Sequence, residues 1–184
     1  MAKRSKDTLT GGTGDVSPQF LSLNVVMSAA NTFLEATVPL PVQRMQGPQP
    51  QKATIIELLK IFVNLPELDA TSAVEAFFSA QTSVSTSTLA GVASLGTPKS
   101  LMSMERKAHK AFTAGGTYET VYQDPMILDL TDGAGHGILV ATDNIFIQVT
   151  TTGYTAAAQF GYKFMYRWKT VSLPEYIGIV QSQQ

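Results

Sequence analysis

Few residues in this sequence could form a metal site. The two histidines are His109 and His136, and the second lies in a Gly-Ala-Gly-His-Gly stretch that follows Asp129 and Asp132. Zinc sites need three or four convergent ligands, and no second ligand set stands at suitable spacing. Ligation of a cation by Asp129, Asp132 and Asp143 at a subunit contact is a weaker alternative, because Asp in Asp-Gly and Asp-Asn pairs is typical of turns. We therefore predict no metal and no other cofactor.

Residues for covalent or acid–base catalysis are not arranged in a recognisable pattern. The chain has no cysteine, so a thiolate nucleophile and a disulfide are both excluded. No Gly-x-Ser-x-Gly elbow occurs, and Gly133, Gly135 and Gly137 do not open a helix after a strand, as a dinucleotide site requires. The carboxylates for glycoside chemistry are scattered, at Glu35, Glu57, Glu67, Glu75, Glu119 and Asp124. The sequence gives no positive reason to predict an enzyme.

Positive charges suited to phosphate binding cluster at the amino terminus. Lys3, Arg4 and Lys6 precede a polar, glycine-rich stretch. Such a segment cannot bury enough apolar area to offset its loss of conformational entropy, so residues 1–18 are predicted to form a flexible arm. The three charges could contact nucleic acid or could simply be solvated. A formal net charge of −1 indicates that the chain as a whole is not an electrostatic nucleic-acid binder.

The composition is compatible with a surface that other chains cover. Hydrophobic residues are 44% and charged residues 15% of the chain, whereas charged residues make up about 25% of a typical domain. This low share indicates surface buried between subunits or, equally, a polar surface rich in uncharged side chains. No apolar run approaches the roughly 20 residues of a membrane helix, and no apolar signal segment follows the basic terminus. We expect no membrane insertion.

Strand-length segments of alternating hydrophobicity fill the first part of the chain. Residues 20–28 alternate clearly, and further strands are predicted at residues 33–40, 52–65, 74–82 and 106–113. Residues 52–65 and 101–112 also fit short amphipathic helices; β-branched residues favour the strand in the first of them. Residues 83–100 are predicted to form a long surface loop, which in a compact domain is usually functional or interfacial.

Two details of this region bear on the fold. In residues 52–65 one apolar strand face is predicted, and Glu57 is the one polar residue on it. The apolar residues of that face are Ile55, Leu59, Ile61, Val63 and Leu65. In residues 74–82 the side chain of Phe77 breaks the alternation that places Phe78 on the apolar side.

Consecutive strands and short turns dominate the carboxyl-terminal third. Residues 126–130 form a predicted strand, and residues 137–141 and 145–151 form a predicted hairpin across Thr142-Asp143-Asn144. In residues 156–168 the aromatic side chains recur at period two and are predicted to form one core face: Phe160, Tyr162, Phe164, Tyr166 and Trp168.

The final segment carries a helix start signal. Ser172 is a good N-cap, with Glu175 three residues on and Pro174 in the first turn, so a short helix is predicted over residues 173–181. Gly178 and the β-branched residues weaken that helix, and an extended tail on a neighbouring sheet edge is the alternative. The apolar residues predicted to contact another subunit are Tyr176, Ile177, Ile179 and Val180.

About eight strands without βαβ alternation predict an all-β fold. The economical arrangement is a single jelly-roll β-sandwich of antiparallel strands with a short C-terminal helix or tail, spanning residues 19–184 after the arm of residues 1–18.

Two segments carry a family resemblance. Residues 130–145 (LTDGAGHGILVATDNI) and residues 166–184 (YRWKTVSLPEYIGIVQSQQ) resemble the short capsid proteins of environmental Rep-encoding circular single-stranded DNA viruses, known as CRESS viruses. Residues 24–33 (NVVMSAANTF) and 55–61 (IIELLKI) are similar to the same group. The resemblance covers most of residues 21–184, and EYIGIVQSQ is its most specific part.

The resemblance implies a structural protein of the virion. Its subunits would be single jelly rolls that self-assemble into a small icosahedral shell around circular single-stranded DNA, with an unknown host receptor. Many such capsids carry a long Arg-rich arm, whereas this chain has only Lys3, Arg4 and Lys6. Three cations can neutralise at most about three phosphates, so the electrostatic binding of DNA by this arm would be weak. The alternative function is a β-sandwich module that binds a ligand or receptor, and a sandwich hydrolase ranks last.

Overall fold

Two antiparallel sheets packed face to face form the fold in a computed structural model, which describes residues 17–40, 52–67, 76–94, 96–110 and 125–183. The strands are β1 (Gln19–Val26), β2 (Phe33–Pro39), β3 (Lys52–Asn64), β4 (Ala76–Ser85), β5 (Ser100–Lys110), β6 (Met126–Asp129), β7 (Ile138–Val140), β8 (Asn144–Thr152) and β9 (Gln159–Ser172), and the helix is α1 (Leu173–Gln183).

The strand order is that of a jelly roll. Sheet I has the order β1-β9-β3-β6, with the short β7 also paired to β3, and sheet II has the order β2-β8-β4-β5. The chain passes repeatedly from one sheet to the other, so most sequence neighbours do not pair. This confirms the predicted all-β jelly-roll sandwich with a C-terminal helix. β6 and β7 together occupy one edge of sheet I.

β9 supplies the central wall of the core. Phe160, Tyr162, Phe164 and Tyr166 are buried, and Trp168 is half-buried against the same core. Burying each such aromatic side chain contributes about 1.5–3 kcal/mol. The hydroxyls of Tyr162 and Thr82 lie 2.5 Å apart across the two sheets, so this phenol has a partner within the core. The predicted aromatic face is confirmed.

β3 changes sides partway along its length. The pairing of β3 with β9 shifts register between Leu58 and Lys60, which is the mark of a β-bulge. Before the bulge Ile55 and Glu57 point away from the sandwich, and after it Ile61 and Val63 point into the main core. The single face predicted for this strand was therefore wrong, because the extra residue reverses the alternation.

The predicted hairpin of residues 137–151 was also wrong. β7 pairs with β3 in sheet I, whereas β8 pairs with β2 and β4 in sheet II. The turn at Thr142-Asp143-Asn144 therefore carries the chain from one sheet to the other. Local turn residues indicate a reversal of direction and do not specify which strands pair.

The segment between β4 and β5 lies on sheet II. β4 continues to Ser85, beyond the start of the predicted loop. Thr86 and Ala93 are buried, so this part of the predicted surface loop covers the sheet. For residues 101–112 a strand and a short helix were both possible, and the structure has strand β5 up to Lys110. Gly47, Pro48 and Pro50 predict a loop at residues 43–51, and this segment lies outside the described residues.

Candidate functional site

The predicted nucleic-acid contacts Lys3, Arg4 and Lys6 lie outside the described residues. The same holds for almost all of the predicted arm, of which only residues 17 and 18 are described. Both remain predictions.

Helix α1 covers the outward side of sheet I. The backbone N–H of Glu175 donates to Ser172 Oγ at 3.4 Å, which confirms the predicted N-cap. Tyr176, Ile179 and Val180 pack against the small cluster formed by Ala53, Ile55, Ala141 and Val171. Three of the four predicted subunit contacts therefore pack on their own chain, and the fourth, Ile177, is 46% exposed.

A glutamine fastens the end of α1 to β7. Gln183 Nε2 donates to the carbonyl of Leu139 at 2.5 Å, and Gln183 Oε1 accepts the N–H of Ala141 at 3.0 Å. The helix is thus held at both ends, by its cap and by this amide. It belongs to the sandwich of its own chain.

Glu57 is the charged centre of the outward side of sheet I. Its side chain is 1% exposed, and Oε2 accepts a hydrogen bond from Arg167 Nε at 2.6 Å. Oε1 accepts the N–H of Gly137 at 3.0 Å and lies 3.7 Å from Lys169 Nζ. His136 Nδ1 stands 3.8 Å from the same oxygen. The carboxylate thereby joins β3, β9 and the turn before β7.

This environment keeps Glu57 ionised. Burial by itself would raise the pKa of Glu57, but the hydrogen bonds from Arg167 and Gly137 and the charges of Lys169 and Arg167 lower that pKa below its ordinary value. A general acid needs a raised pKa. The cluster is therefore suited to holding strands together. The sequence signalled it only as one polar residue inside an apolar strand.

A buried polar network joins the segment after β4 to sheet II. Gln148 Nε2 donates to Glu35 Oε2 at 2.9 Å and to Ser85 Oγ at 2.8 Å, and Gln148 Oε1 accepts from Ser83 Oγ at 2.8 Å. The backbone of the covering segment closes the network through Leu89 N–H to Glu35 and Ala93 N–H to Ser83. A buried network of this kind fixes one conformation when its members are satisfied.

Two of the three aspartates considered as metal ligands, Asp129 and Asp132, are engaged in other ways. Asp129 pairs with Lys60 at 2.7 Å and accepts from the hydroxyl and the N–H of Thr131. Asp132 Oδ1 accepts the N–H groups of Ala134 and His136, which is ordinary turn chemistry. Within the described part of the chain, no group of three His, Cys, Asp or Glu side chains is placed to hold a metal ion.

A cleft of about 410 Å³ lies where β1, β3 and β9 meet. Gly161 forms part of its floor between Asn24 and Asn64, the residues paired with it on the two neighbouring strands. A side chain at position 161 would contact both asparagines. Gln159 and Glu67 add polar groups to the lining, and Leu65, Pro66 and the alanines of residues 156–158 make the rest of it apolar. A mixed lining of this kind could accept a small hydroxylated ligand.

Large apolar side chains remain exposed on the outward surfaces of both sheets. Phe77 is 72% exposed and Phe33 41% exposed on sheet II, and Ile127 is 60% and Phe20 52% exposed on sheet I. Exposed apolar residues that occur singly are normal, whereas groups of them mark interaction surfaces. Among the helices that the structure describes, none is long and apolar enough to cross a membrane.

Comparison with known proteins shows the fold. No protein-family description matches the chain, and no curated protein is similar to it. Among solved structures, the Merkel cell polyomavirus VP1 in complex with GD1a oligosaccharide is similar with a TM-score of 0.52 and 11% identity, over 88% of this chain and 98% of that one. The unassembled pentamer of the same VP1 is similar with a TM-score of 0.51 and the same identity and coverage. At this identity the likeness is one of jelly-roll architecture.

Proposed function

We propose that this chain is a viral capsid subunit. Copies of it would self-assemble into a small icosahedral shell around single-stranded DNA, so that its place is the virion. The observation that carries the proposal is a jelly roll whose two outward sheet surfaces both keep large apolar side chains exposed. An isolated subunit would gain from covering such surfaces, because each buried Å² of apolar area contributes about 25 cal/mol.

The comparisons and the composition support the same proposal. VP1, a similar jelly roll, is described as forming a pentamer. The charged share of 15% suits a subunit that is largely enclosed by other copies. The resemblance of residues 130–145 and 166–184 to CRESS-virus capsids supports the proposal of a CRESS virus with a single-stranded DNA genome. Lys3, Arg4 and Lys6 would supply only a weak electrostatic contact to that genome.

Sedimentation of the purified chain tests the proposal. We expect a large, discrete species at micromolar protein concentration, with a salt or pH condition at which it dissociates into small units. A chain that remains monomeric at every salt concentration and pH would contradict assembly.

A ligand- or receptor-binding module is the second candidate, and the polar cleft around Asn24, Gly161 and Asn64 favours it. VP1 is described in complex with oligosaccharides, and the carboxamide groups of the cleft would suit sugar hydroxyls. This function requires a saturable small ligand and does not require a shell. Titration of the monomer with a set of soluble glycans distinguishes it, since binding without assembly would favour the module.

A further inference from the structure

Strand β1 forms an open edge of sheet I. Among the described strands it pairs with β9 alone. The N–H of Met27 donates to the carbonyl of Ala158 on the β9 side at 2.9 Å, and in an antiparallel register alternate residues bond to the same neighbour. The residues whose N–H and C=O groups point to the open side are therefore Phe20, Ser22, Asn24 and Val26.

β1 lacks the features that keep an edge strand from pairing with another chain. Proteins protect edge strands with charged residues, with proline, with bulges or by keeping them short. β5 carries Glu105 and Lys107, β2 ends in Pro39, and β6 and β7 have four and three residues. β1 has eight residues, none of them charged and none a proline, and its register with β9 is unbroken. Of the described edge strands, β1 is thus the one suited to pairing.

The polarity of β1 is palindromic about Leu23. From this centre outward, one polar pair is followed by two apolar pairs: Ser22 and Asn24, Leu21 and Val25, Phe20 and Val26. When two identical antiparallel strands pair about a twofold axis, residues at equal distances from the axis stand opposite each other. Self-pairing centred on Leu23 would therefore match polar with polar and apolar with apolar from residue 20 to residue 26.

The same register suits the backbone. It places even-numbered residues opposite even-numbered ones, and these are the residues whose N–H and C=O groups point to the open side. Four such pairs would exchange about eight hydrogen bonds. A register shifted by one residue would instead place side chains of the inward face opposite those of the outward face. The palindrome and the free backbone groups thus indicate one register.

The side chains that β1 leaves uncovered are those that this pairing would cover. Val26 is 62% exposed, and Phe20 is 52% exposed although Lys163 Nζ lies 4.4 Å from the centre of its ring. The two would be cross-strand neighbours on the outward face. Leu21 and Leu23, which are only partly buried against the main core, would gain apolar neighbours on the inward face. Apolar cross-strand pairs of this kind stabilise a sheet.

We propose that β1 of one copy pairs antiparallel with β1 of a second copy, about a twofold axis at Leu23, so that two copies of sheet I become one continuous sheet. The palindrome identifies the partner as a second copy, because self-pairing about a twofold axis requires that symmetry and pairing with an unrelated strand does not. The inference rests on the proposed capsid function for its place in a shell, where it names the contact at a twofold axis.

A single introduced cysteine tests the register, because the chain has no cysteine of its own. Leu23→Cys would place two thiols opposite each other with their Cα atoms about 4.5 Å apart, which a disulfide can span. Leu21→Cys is the matched control, at a half-buried position on the same face, and its two copies would lie about 14 Å apart. With dissolved oxygen and a copper catalyst as oxidant, we expect a disulfide-linked dimer from Leu23→Cys alone on a non-reducing gel.

Two double variants test the pairing without a cross-link. Ser22→Glu with Asn24→Glu places carboxylates opposite each other twice across the axis, whereas Ser22→Glu with Asn24→Lys places a carboxylate opposite an ammonium twice. Both positions are exposed, so both variants should fold, and thermal unfolding checks that they do. In sedimentation at low ionic strength, we expect the second variant to associate as the wild type does and the first to lose that association.

The outcomes separate this pairing from the capsid function. Equal cross-linking of the two cysteine variants, or equal association of the two charge variants, would overturn the pairing. Closed wild-type particles combined with no cross-link in Leu23→Cys would refute the pairing and leave the shell. A dimer linked at position 23 without any closed particle would support the pairing and contradict the shell. A wild-type chain that stays monomeric contradicts both.

Discussion

At the scale of single residues, the carboxylate of Glu57 is a buried charge surrounded by basic groups and a hydrogen-bonding backbone N–H. It is buried and accepts hydrogen bonds from Arg167 on β9 and from Gly137 before β7. Removing one partner of such a cluster is costly, because the remaining charges lose their compensation. Arg167 and Lys169 are partly exposed, with side chains 18% and 37% accessible, so water can relieve part of that cost.

We expect Glu57→Gln to destabilise the dissociated subunit by about 1–3 kcal/mol. The amide preserves the shape of the side chain but cannot balance Arg167 and Lys169. Urea unfolding measures the change. Glu67→Gln, at an exposed position, is the control and should leave the free energy of unfolding almost unchanged. Equal effects of both substitutions would show that the cluster does not contribute.

The same side chain predicts a pH dependence. The pKa of Glu57 is lowered in the folded chain relative to its ordinary value of 4.5. Its stabilising contribution is therefore complete above pH 4.5 and is lost as the pH falls through the folded pKa. The difference in unfolding free energy between the wild type and Glu57→Gln should be constant near neutral pH and shrink on acidification. A difference that grows in acid would contradict this sign.

Gly137 and Gly133 make a matched pair. A Cβ atom at Gly137 would lie 2.1 Å from the carbonyl oxygen of Leu58, whereas a Cβ atom at Gly133 would meet nothing within 4 Å. Gly137→Ala must therefore displace the backbone at the β3 bulge, and we expect it to destabilise the fold by about 2–4 kcal/mol. Gly133→Ala should be nearly neutral. Thermal unfolding of both variants checks the pair, and equal midpoints would contradict the close approach.

The sequence located some of these residues without explaining them. Glu57 is the one polar residue in a predicted apolar strand face. Its partner Arg167 is 110 positions away in the chain, so the sequence around Glu57 could not predict the cluster. Phe77 was noted because it broke an alternation, and it is the most exposed large apolar side chain described. Such irregularities mark special positions, while their partners depend on the tertiary fold.

At the scale of elements, period-two alternation predicted strands well and their pairing poorly. β1 and β9 lie where the alternation placed them, because each has one face in the core. The sequence predicts a hairpin of β7 and β8, yet the two strands lie in different sheets. The turn between them is compatible with a hairpin and with a crossing to the other sheet. Long-range packing decides which sheet each strand joins. The bulge in β3 was likewise invisible, since one extra residue looks like an ordinary strand residue.

Helix α1 gives an element-scale prediction. Removing residues 173–184 uncovers Ala53, Ile55 and Val171 and deletes both side-chain hydrogen bonds of Gln183. We expect the truncated chain to lose about 2–5 kcal/mol of stability, measured by urea unfolding in the dissociated state. Unchanged stability would show that the helix is dispensable for folding.

Two point substitutions separate the folding role of α1 from a contact role. Tyr176→Ala removes packing against the chain's own sheet and should lower the unfolding free energy. Ile177→Ala changes an exposed side chain and should leave it unaltered. If Ile177→Ala leaves the unfolding free energy unchanged but impairs assembly, then α1 also contacts another subunit.

At the scale of the whole molecule, the overall architecture could be predicted from the sequence. About eight predicted strands, with no predicted helix alternating between them, leave few options besides a sandwich, and the observed strand order is that of a jelly roll. The exposed apolar side chains on the two outward surfaces were not predicted, because which face of a strand is left uncovered depends on the rest of the fold. The proposed function depends on contacts between copies, and a single chain bears on it only through its exposed surfaces.

The amino-terminal charges belong to this scale because the proposed function gives them a packaged genome as their partner. We expect particles assembled without residues 1–14 to carry less nucleic acid, measured by the ratio of absorbance at about 260 and 280 nm. Replacing Lys3, Arg4 and Lys6 by Gln should reduce the salt slope of single-stranded DNA binding by about 2, since each phosphate contact on a single strand contributes about 0.7. Normal nucleic-acid content in the truncated particles would refute a packaging role for the arm.

Negative-stain electron microscopy of the purified full-length chain tests the capsid assignment most directly. The account predicts closed particles of one diameter, formed by this chain alone. A field that holds only monomers or irregular aggregates, under conditions in which the chain is folded, would contradict the assignment.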